Sequence, residues 1–142
     1  MSKAAVIYWS GTGNTETMAN AVLAGLREAG AEAELFAVDK IAPAEAAGYD
    51  KLALGCPSMG AEVLEEAEFE PFFTKLENSI AGKPVALFGS YGWGDGEWMR
   101  NWKDRCEAKD ANLVTEGLIA NETPDDTALA ACKDLGRKLA EA

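Results

Sequence analysis

Five short apolar runs alternate along this chain with longer stretches in which apolar residues recur at every third or fourth position, and that alternation predicts an α/β fold. The strand candidates are Ala4–Trp9, Ala33–Val38, Lys51–Gly55, Pro84–Ser90 and Leu113–Ala120. Four are largely apolar, as parallel strands covered on both faces must be. The second mixes Glu34 with Leu35, Phe36 and Val38, which suits an edge position. Helices are predicted over Asn14–Ala29, Glu66–Ile80, Glu97–Lys109 and Asp125–Ala140. In the first, Met18, Ala21, Val22, Gly25 and Leu26 fall at helical spacing and Gly30 stops it; Pro124-Asp125 opens the last. The crossover around Pro43–Gly48 is short and weak. Right-handed crossovers between parallel strands turn this order into a three-layer αβα sandwich, one domain over residues 1–142, whose strand-end loops gather at one ligand-binding edge.

Composition narrows the function. With 142 residues, 48% hydrophobic and 26% charged, the chain is long enough to bury a core and has ordinary globular usage. Thirteen basic against 24 acidic residues leave a net charge of −11, which repels nucleic-acid backbones and anionic lipid and steers basic protein surfaces toward the molecule. The absence of histidine removes the usual general base and metal ligand. Cys56, Cys106 and Cys132 form no Cys-x-x-Cys pair, so neither a disulfide framework nor a metal cluster is expected, and a reducing cytoplasm fits. No targeting segment or membrane span is read from the sequence.

Three loops, each after a predicted strand, carry the chemistry. Ser10-Gly11-Thr12-Gly13-Asn14-Thr15 joins the first strand to the first helix: two glycines let the backbone turn its N–H groups inward, and hydroxyls and an amide add donors at a helix N-terminus. It lacks the lysine of a nucleotide-triphosphatase loop and the G-x-G-x-x-G spacing of a dinucleotide loop, so a phosphate monoester held by hydrogen bonds is implied, not phosphoryl transfer. Ser90-Tyr91-Gly92-Trp93-Gly94-Asp95-Gly96 interleaves aromatics with glycines, which suits stacking on a planar heteroaromatic ligand whose edge meets backbone N–H groups. Pro57-Ser58-Met59-Gly60-Ala61-Glu62 adds a thioether able to cover an aromatic face. Cys56 has no basic neighbour to activate it and reads as a small buried residue.

These three loops, with Glu68-Phe69-Glu70-Pro71-Phe72 and the 121–125 segment, resemble the flavodoxins, in particular the short-chain type, along the whole chain. The resemblance implies a five-stranded parallel sheet in the order 2-1-3-4-5, with FMN bound at its switch point. It further implies that Ser10, Thr12, Asn14, Thr15 and the loop amides hold the FMN phosphate, and that Met59 and Trp93 cover the two flavin faces. Glu62 would accept from the flavin N3–H, backbone groups of Tyr91 to Gly94 would meet the pyrimidine edge, and Ser58 and Asn121 would lie close by. The implied function is a low-potential one-electron carrier cycling between semiquinone and hydroquinone. Gly60, at positive φ in a type II′ turn spanning Met59 to Glu62, would let the central peptide turn over cheaply.

Partner expectations follow from charge. Glu62, Glu65, Glu66, Glu68, Glu70, Asp95 and Glu97 lie around the expected site with no Lys or Arg between Lys51 and Lys75, so the partners are redox proteins with basic docking patches: reductases, dehydrogenases or other ferredoxin-dependent enzymes. A monomer is the default. The alternative of a different class is an FMN-dependent NAD(P)H quinone or nitro reductase on the same scaffold. A receiver domain would need acidic residues after the first strand and an aspartate after the third, where the chain has Tyr8-Trp9-Ser10 and Gly55-Cys56-Pro57.

Overall fold

A computed structural model describes residues 3–142. Its elements, in chain order, are β1 (Lys3–Tyr8), α1 (Asn14–Glu28), β2 (Glu32–Ala37), α2 (Pro43–Ala47), β3 (Lys51–Gly55), α3 (Phe69–Leu76), β4 (Pro84–Tyr91), α4 (Glu97–Ala108), β5 (Asn112–Leu113), β6 (Leu118–Asn121) and α5 (Asp126–Glu141). All strand pairs are parallel and the order is β2-β1-β3-β4-β5, with β6 also on β4. The mixed second strand is the edge strand, as its pattern predicts. Among the described residues no helix is long and apolar enough to cross a membrane.

Each strand sends alternate residues to opposite faces, so the sheet divides two cores. Ala5 and Ile7 of β1, with Val85 and Leu87 of β4, face Phe69, Phe73, Trp98 and Trp102 of α3 and α4. Ala4, Val6, Ala86 and Phe88 face Met18, Val22, Leu26, Leu135 and Leu139 of α1 and α5. Both layers are sealed at the amino ends of the strands by lysine stems, buried at Lys51 and half-buried at Lys83: the Lys51 ammonium donates to the Ala140 carbonyl at 2.6 Å, and that of Lys83 to the carbonyls of Ala47 and Tyr49. Each cation thus meets the carbonyl-rich end of a helix.

Two predicted elements differ from what forms. The fifth position of the sheet is not one strand over Leu113–Ala120 but the two pieces β5 and β6. Between them the chain detours toward α4, where Glu116 pairs with Lys103 at 2.7 Å and Gly117 lies so close to the Met99 side chain that a β-carbon would collide with it. The third helix starts at Phe69, not Glu66, because the buried Glu65 carboxylate accepts from the amides of Ala67, Glu68 and Phe69, each at 2.8 Å, and so caps a turn ahead of it. It ends at Leu76, and residues 77–79 tighten into a 3₁₀ turn. The weak crossover is the five-residue α2.

On the outer side of α3, Arg105 makes a forked pair to Glu70 at 2.7 and 2.9 Å, reaches Glu77 at 3.1 Å, and lies 4.8 Å from the centre of the Phe73 ring. Burial alone would raise the Glu70 carboxyl, but the hydrogen bonds from Arg105 and Thr74 outweigh it and hold the group below its ordinary value. A depressed carboxyl stabilises the fold above the unfolded-state pKa, near 4.3, and that contribution disappears as pH falls through the folded value. Glu70→Gln is therefore expected to cost about 1 kcal/mol at neutral pH, discounted for partial exposure, and the gap from the parent should close on acidification below about pH 4. Melting temperatures of the two proteins across pH 3–7 check this; a gap independent of pH would show that the charge is not what matters.

Candidate functional site

The carboxyl ends of β1, β3 and β4 open onto a cleft of about 310 Å³. Nine of the residues singled out in the sequence line it: Gly11, Thr12 and Asn14 from the first loop, Pro57, Ser58 and Met59 from the second, and Ser90, Tyr91 and Gly92 from the third. The three loops are therefore one site.

The first loop is built to present donors. Gly13 sits at φ 95° at the N-cap of α1, a conformation that only glycine adopts without strain, and no side chain caps the helix there. The Ser10 hydroxyl, facing a smaller recess beside the cleft, accepts from the amides of Gly13 at 3.1 Å and Glu16 at 3.3 Å, which holds the loop's curl. The amides of Gly11, Thr12, Asn14 and Thr15 have no acceptor among the described residues. Thr15 is not on the cleft wall: its buried hydroxyl bonds that of Ser90 at 3.0 Å and ties the loop to β4. Free amides at a helix start, with no cation in the loop, suit an anion held by hydrogen bonds.

The second loop departs from its expected geometry by one residue. Met59 and Val63 exchange hydrogen bonds at 2.9 and 3.0 Å, so the turn between them has three residues, Gly60, Ala61 and Glu62, instead of closing at Glu62. Gly60 does take positive φ, 52°, but Glu62 is left-handed as well, at 54°. The Glu62 side chain is only 7% exposed, and its Oε1 accepts from the amides of Asp95 at 3.2 Å and Gly96 at 3.3 Å. One of its oxygens is thus committed to the third loop, and the other has no partner among the described residues. Gly94 makes this possible, since a β-carbon there would overlap the carboxylate.

In the third loop the two aromatics separate. Tyr91 belongs to the end of β4 and is half-buried, its ring 5.7 Å from that of Trp98 while it also lines the cleft. Trp93 is 63% exposed, unlike any other tryptophan of the chain, and projects from the rim. Gly94 and Gly96 take positive φ and bend the loop into α4. Asn121 lies at the edge, its amide donating to the Tyr91 carbonyl at 3.4 Å. Gly60, Ala61, Glu62, Trp93, Gly94, Gly96 and Asn121 thus do not form the cleft wall, and Glu62 and Gly96 border separate smaller hollows.

Two wall residues escaped sequence reasoning, Trp9 and Glu122. Trp9 ends the first strand run and reads locally as core. Glu122 adjoins Asn121 but signals nothing by itself; its φ of 54° and the bond from its amide to the Tyr91 carbonyl at 2.7 Å belong to the folded chain. Beside the cleft, Tyr8 donates to Glu16 at 3.0 Å, and burial followed by that bond keeps its phenol above the ordinary value. Cys56 is buried beneath the second loop, its sulfur accepting from the Glu65 amide at 3.3 Å, and burial pushes the thiol far up, so it is no nucleophile.

Comparison with known proteins gives a consistent answer. A family model described as Flavodoxin matches residues 6–136. A flavodoxin of Megasphaera elsdenii is 47% identical over 96% of this chain and 98% of its own length. One of Clostridium beijerinckii is 46% identical over 95% and 97%. The solution structure of two-electron reduced Megasphaera elsdenii flavodoxin superposes with a TM-score of 0.86, covering 98% of this chain and 99% of that one.

Proposed function

We propose, from the premise that this chain belongs to the flavodoxin family, that its FMN occupies the cleft at the carboxyl ends of β1, β3 and β4. The protein is an FMN-binding electron carrier that works with partner redox proteins, and it is not an enzyme. The reductase reading is not favoured, because relatives matched over nearly their whole length are flavodoxins.

One observation carries the site assignment: a row of unpartnered amides at the start of α1 opens into the same cleft as Met59 and Tyr91, with an exposed tryptophan at its rim. The residues fit the group. The amides of Gly11, Thr12, Asn14 and Thr15, with the Thr12 hydroxyl and the Asn14 amide, would take the phosphate. Met59 and Trp93 would close over the ring faces, while Ser58 and the backbone of Ser90 to Gly92 would meet the polar parts. The free oxygen of Glu62 would accept from the ring N3–H. When bound, FMN supplies the reversible uptake of single electrons, and the chain sets how strongly it takes them up.

The exposed carboxylates of Glu66, Glu68, Asp95, Glu97 and Glu122 near the cleft support docking by basic patches on reductases, dehydrogenases and other ferredoxin-dependent enzymes, through small, salt-sensitive contacts. The protein acts as a monomer in the cytoplasm in this reading. The direct experiment is the visible spectrum of the purified chain during stepwise anaerobic reduction. Flavin bands that bleach in two one-electron stages support the reading, and a chain that neither carries nor takes up FMN sinks it.

Gly60 gives a sharper check. Its left-handed φ is strained for any side chain although open space surrounds the position, so Gly60→Ile leaves the cleft walls in place and stiffens the turn. The first one-electron potential should fall by about 59 mV, a tenfold change in relative affinity, while FMN stays bound before reduction. As the resemblance implies, the turned-over Met59–Glu62 peptide would favour the one-electron-reduced flavin over the oxidised one; a redox titration with an unchanged potential would remove that role.

A further inference from the structure

Trp9 stands between two recesses. Its ring lines the cleft beside Gly11 and Asn14 and also borders a second hollow of about 230 Å³ beside Glu16, Val38 and Glu68. A β-carbon on Gly11 would lie 3.1 and 3.3 Å from Cη2 and Cζ3 of the indole, so the ring is seated against the first bend of the 10–15 loop. The backbone of Trp9 is fixed by its amide donating to the Gly55 carbonyl at 3.0 Å. The ring itself is fixed by one polar contact, Nε1 donating to Glu68 Oε1 at 3.2 Å.

Glu68 is free to make that bond. It occupies the N-cap position of α3, yet its side chain makes no capping hydrogen bond, because Glu65 already satisfies the amides there. Its contact with Trp9 spans 59 residues of sequence and links the α3 side of the sheet to the loop on the α1 side. Without an acceptor the half-buried indole regains rotamer freedom, and the Gly11–Thr12 bend loses the surface that backs it.

We propose that Glu68 is a positioning residue for the cofactor phosphate, acting through the Trp9 ring on the Gly11–Thr12 bend. This rests on the 10–15 loop being the phosphate cradle. Electrostatics alone makes the opposite prediction: Glu68 is an anion near a dianion, and removing it should tighten binding. The two accounts therefore differ in sign.

The test is a fluorescence-quenching titration of the full chain, stripped of flavin, with FMN and with riboflavin, which lacks the phosphate. Glu68→Ala should weaken FMN about fivefold and leave riboflavin unchanged, whereas Glu68→Gln, which keeps an acceptor without the charge, should bind FMN at least as tightly as the parent. Trp9→Phe, which keeps a ring and drops the N–H, serves as a second probe should Glu68→Ala fail to fold. FMN binding to Glu68→Ala as tight as or tighter than in the parent would overturn the proposal, as would an equal loss for both flavins. A parent chain that does not prefer FMN to riboflavin would overturn the cradle assignment, and the proposal with it.

Discussion

Replacing Gly136 with valine is expected to lower stability by about 3 kcal/mol or more, because nothing at that position can move aside. Gly136 of α5 and Gly25 of α1 face each other across the helix pair. A β-carbon on Gly136 would fall inside the contact radius of the Val22 carbonyl oxygen and 2.8 Å from the Leu26 amide, and one on Gly25 would overlap the Lys133 carbonyl. These neighbours are backbone, so relief requires the helices to separate, and that would open the core formed by Val22, Leu26, Leu135 and Leu139. Each glycine costs about 1 kcal/mol of helix propensity relative to alanine, which the close approach must offset. Urea unfolding of parent and Gly136→Val at equal FMN concentration measures the loss, since bound cofactor stabilises by mass action. Because α1 begins at the 10–15 loop, proposed here to hold the phosphate, FMN affinity should fall too. An unchanged midpoint would mean the helices do not meet there.

The second large effect is expected at Glu62. In Glu62→Ala the amides of Asp95 and Gly96 lose their shared acceptor, and the 59–63 turn loses its tie to the loop that carries Trp93. Hydrogen bonds to a buried carboxylate are worth about 1.5–3 kcal/mol each, so FMN affinity should drop roughly 100-fold, with Glu62→Gln in between. A negative charge would also leave the start of α4, which removes a favourable interaction with the helix dipole. Fluorescence titration with FMN reads the first effect. Affinity within twofold of the parent would show that the two loops hold their positions without this contact.

Glu62 also shows how far local reading reaches. A carboxylate beside Met59 is visible in the sequence as a candidate site residue, but its amide partners lie 33 and 34 residues away, and only the folded chain identifies them. The same holds for the turn, where glycine chemistry predicts the positive φ at Gly60 but not the extra residue that closes it on Val63. The alternation with glycines places Tyr91 in a loop beside Trp93; it is instead held in β4 by pairing with Asn121 and by Trp98 beneath it.

By itself, the sequence determined the strand and helix order, the edge position of β2, the three loops that meet at the cleft and the sign of the surface charge. Those depend on residue type and on spacing within a few positions, where turn geometry, capping and periodicity act. Tertiary structure alone decided the break between β5 and β6, the delayed start of α3, the glycine contact of α1 with α5, and the placing of Trp9 and Glu122 on the cleft wall. Each of these is a close approach between segments distant in the chain, and such contacts exist only after the crossovers have packed both layers against the sheet.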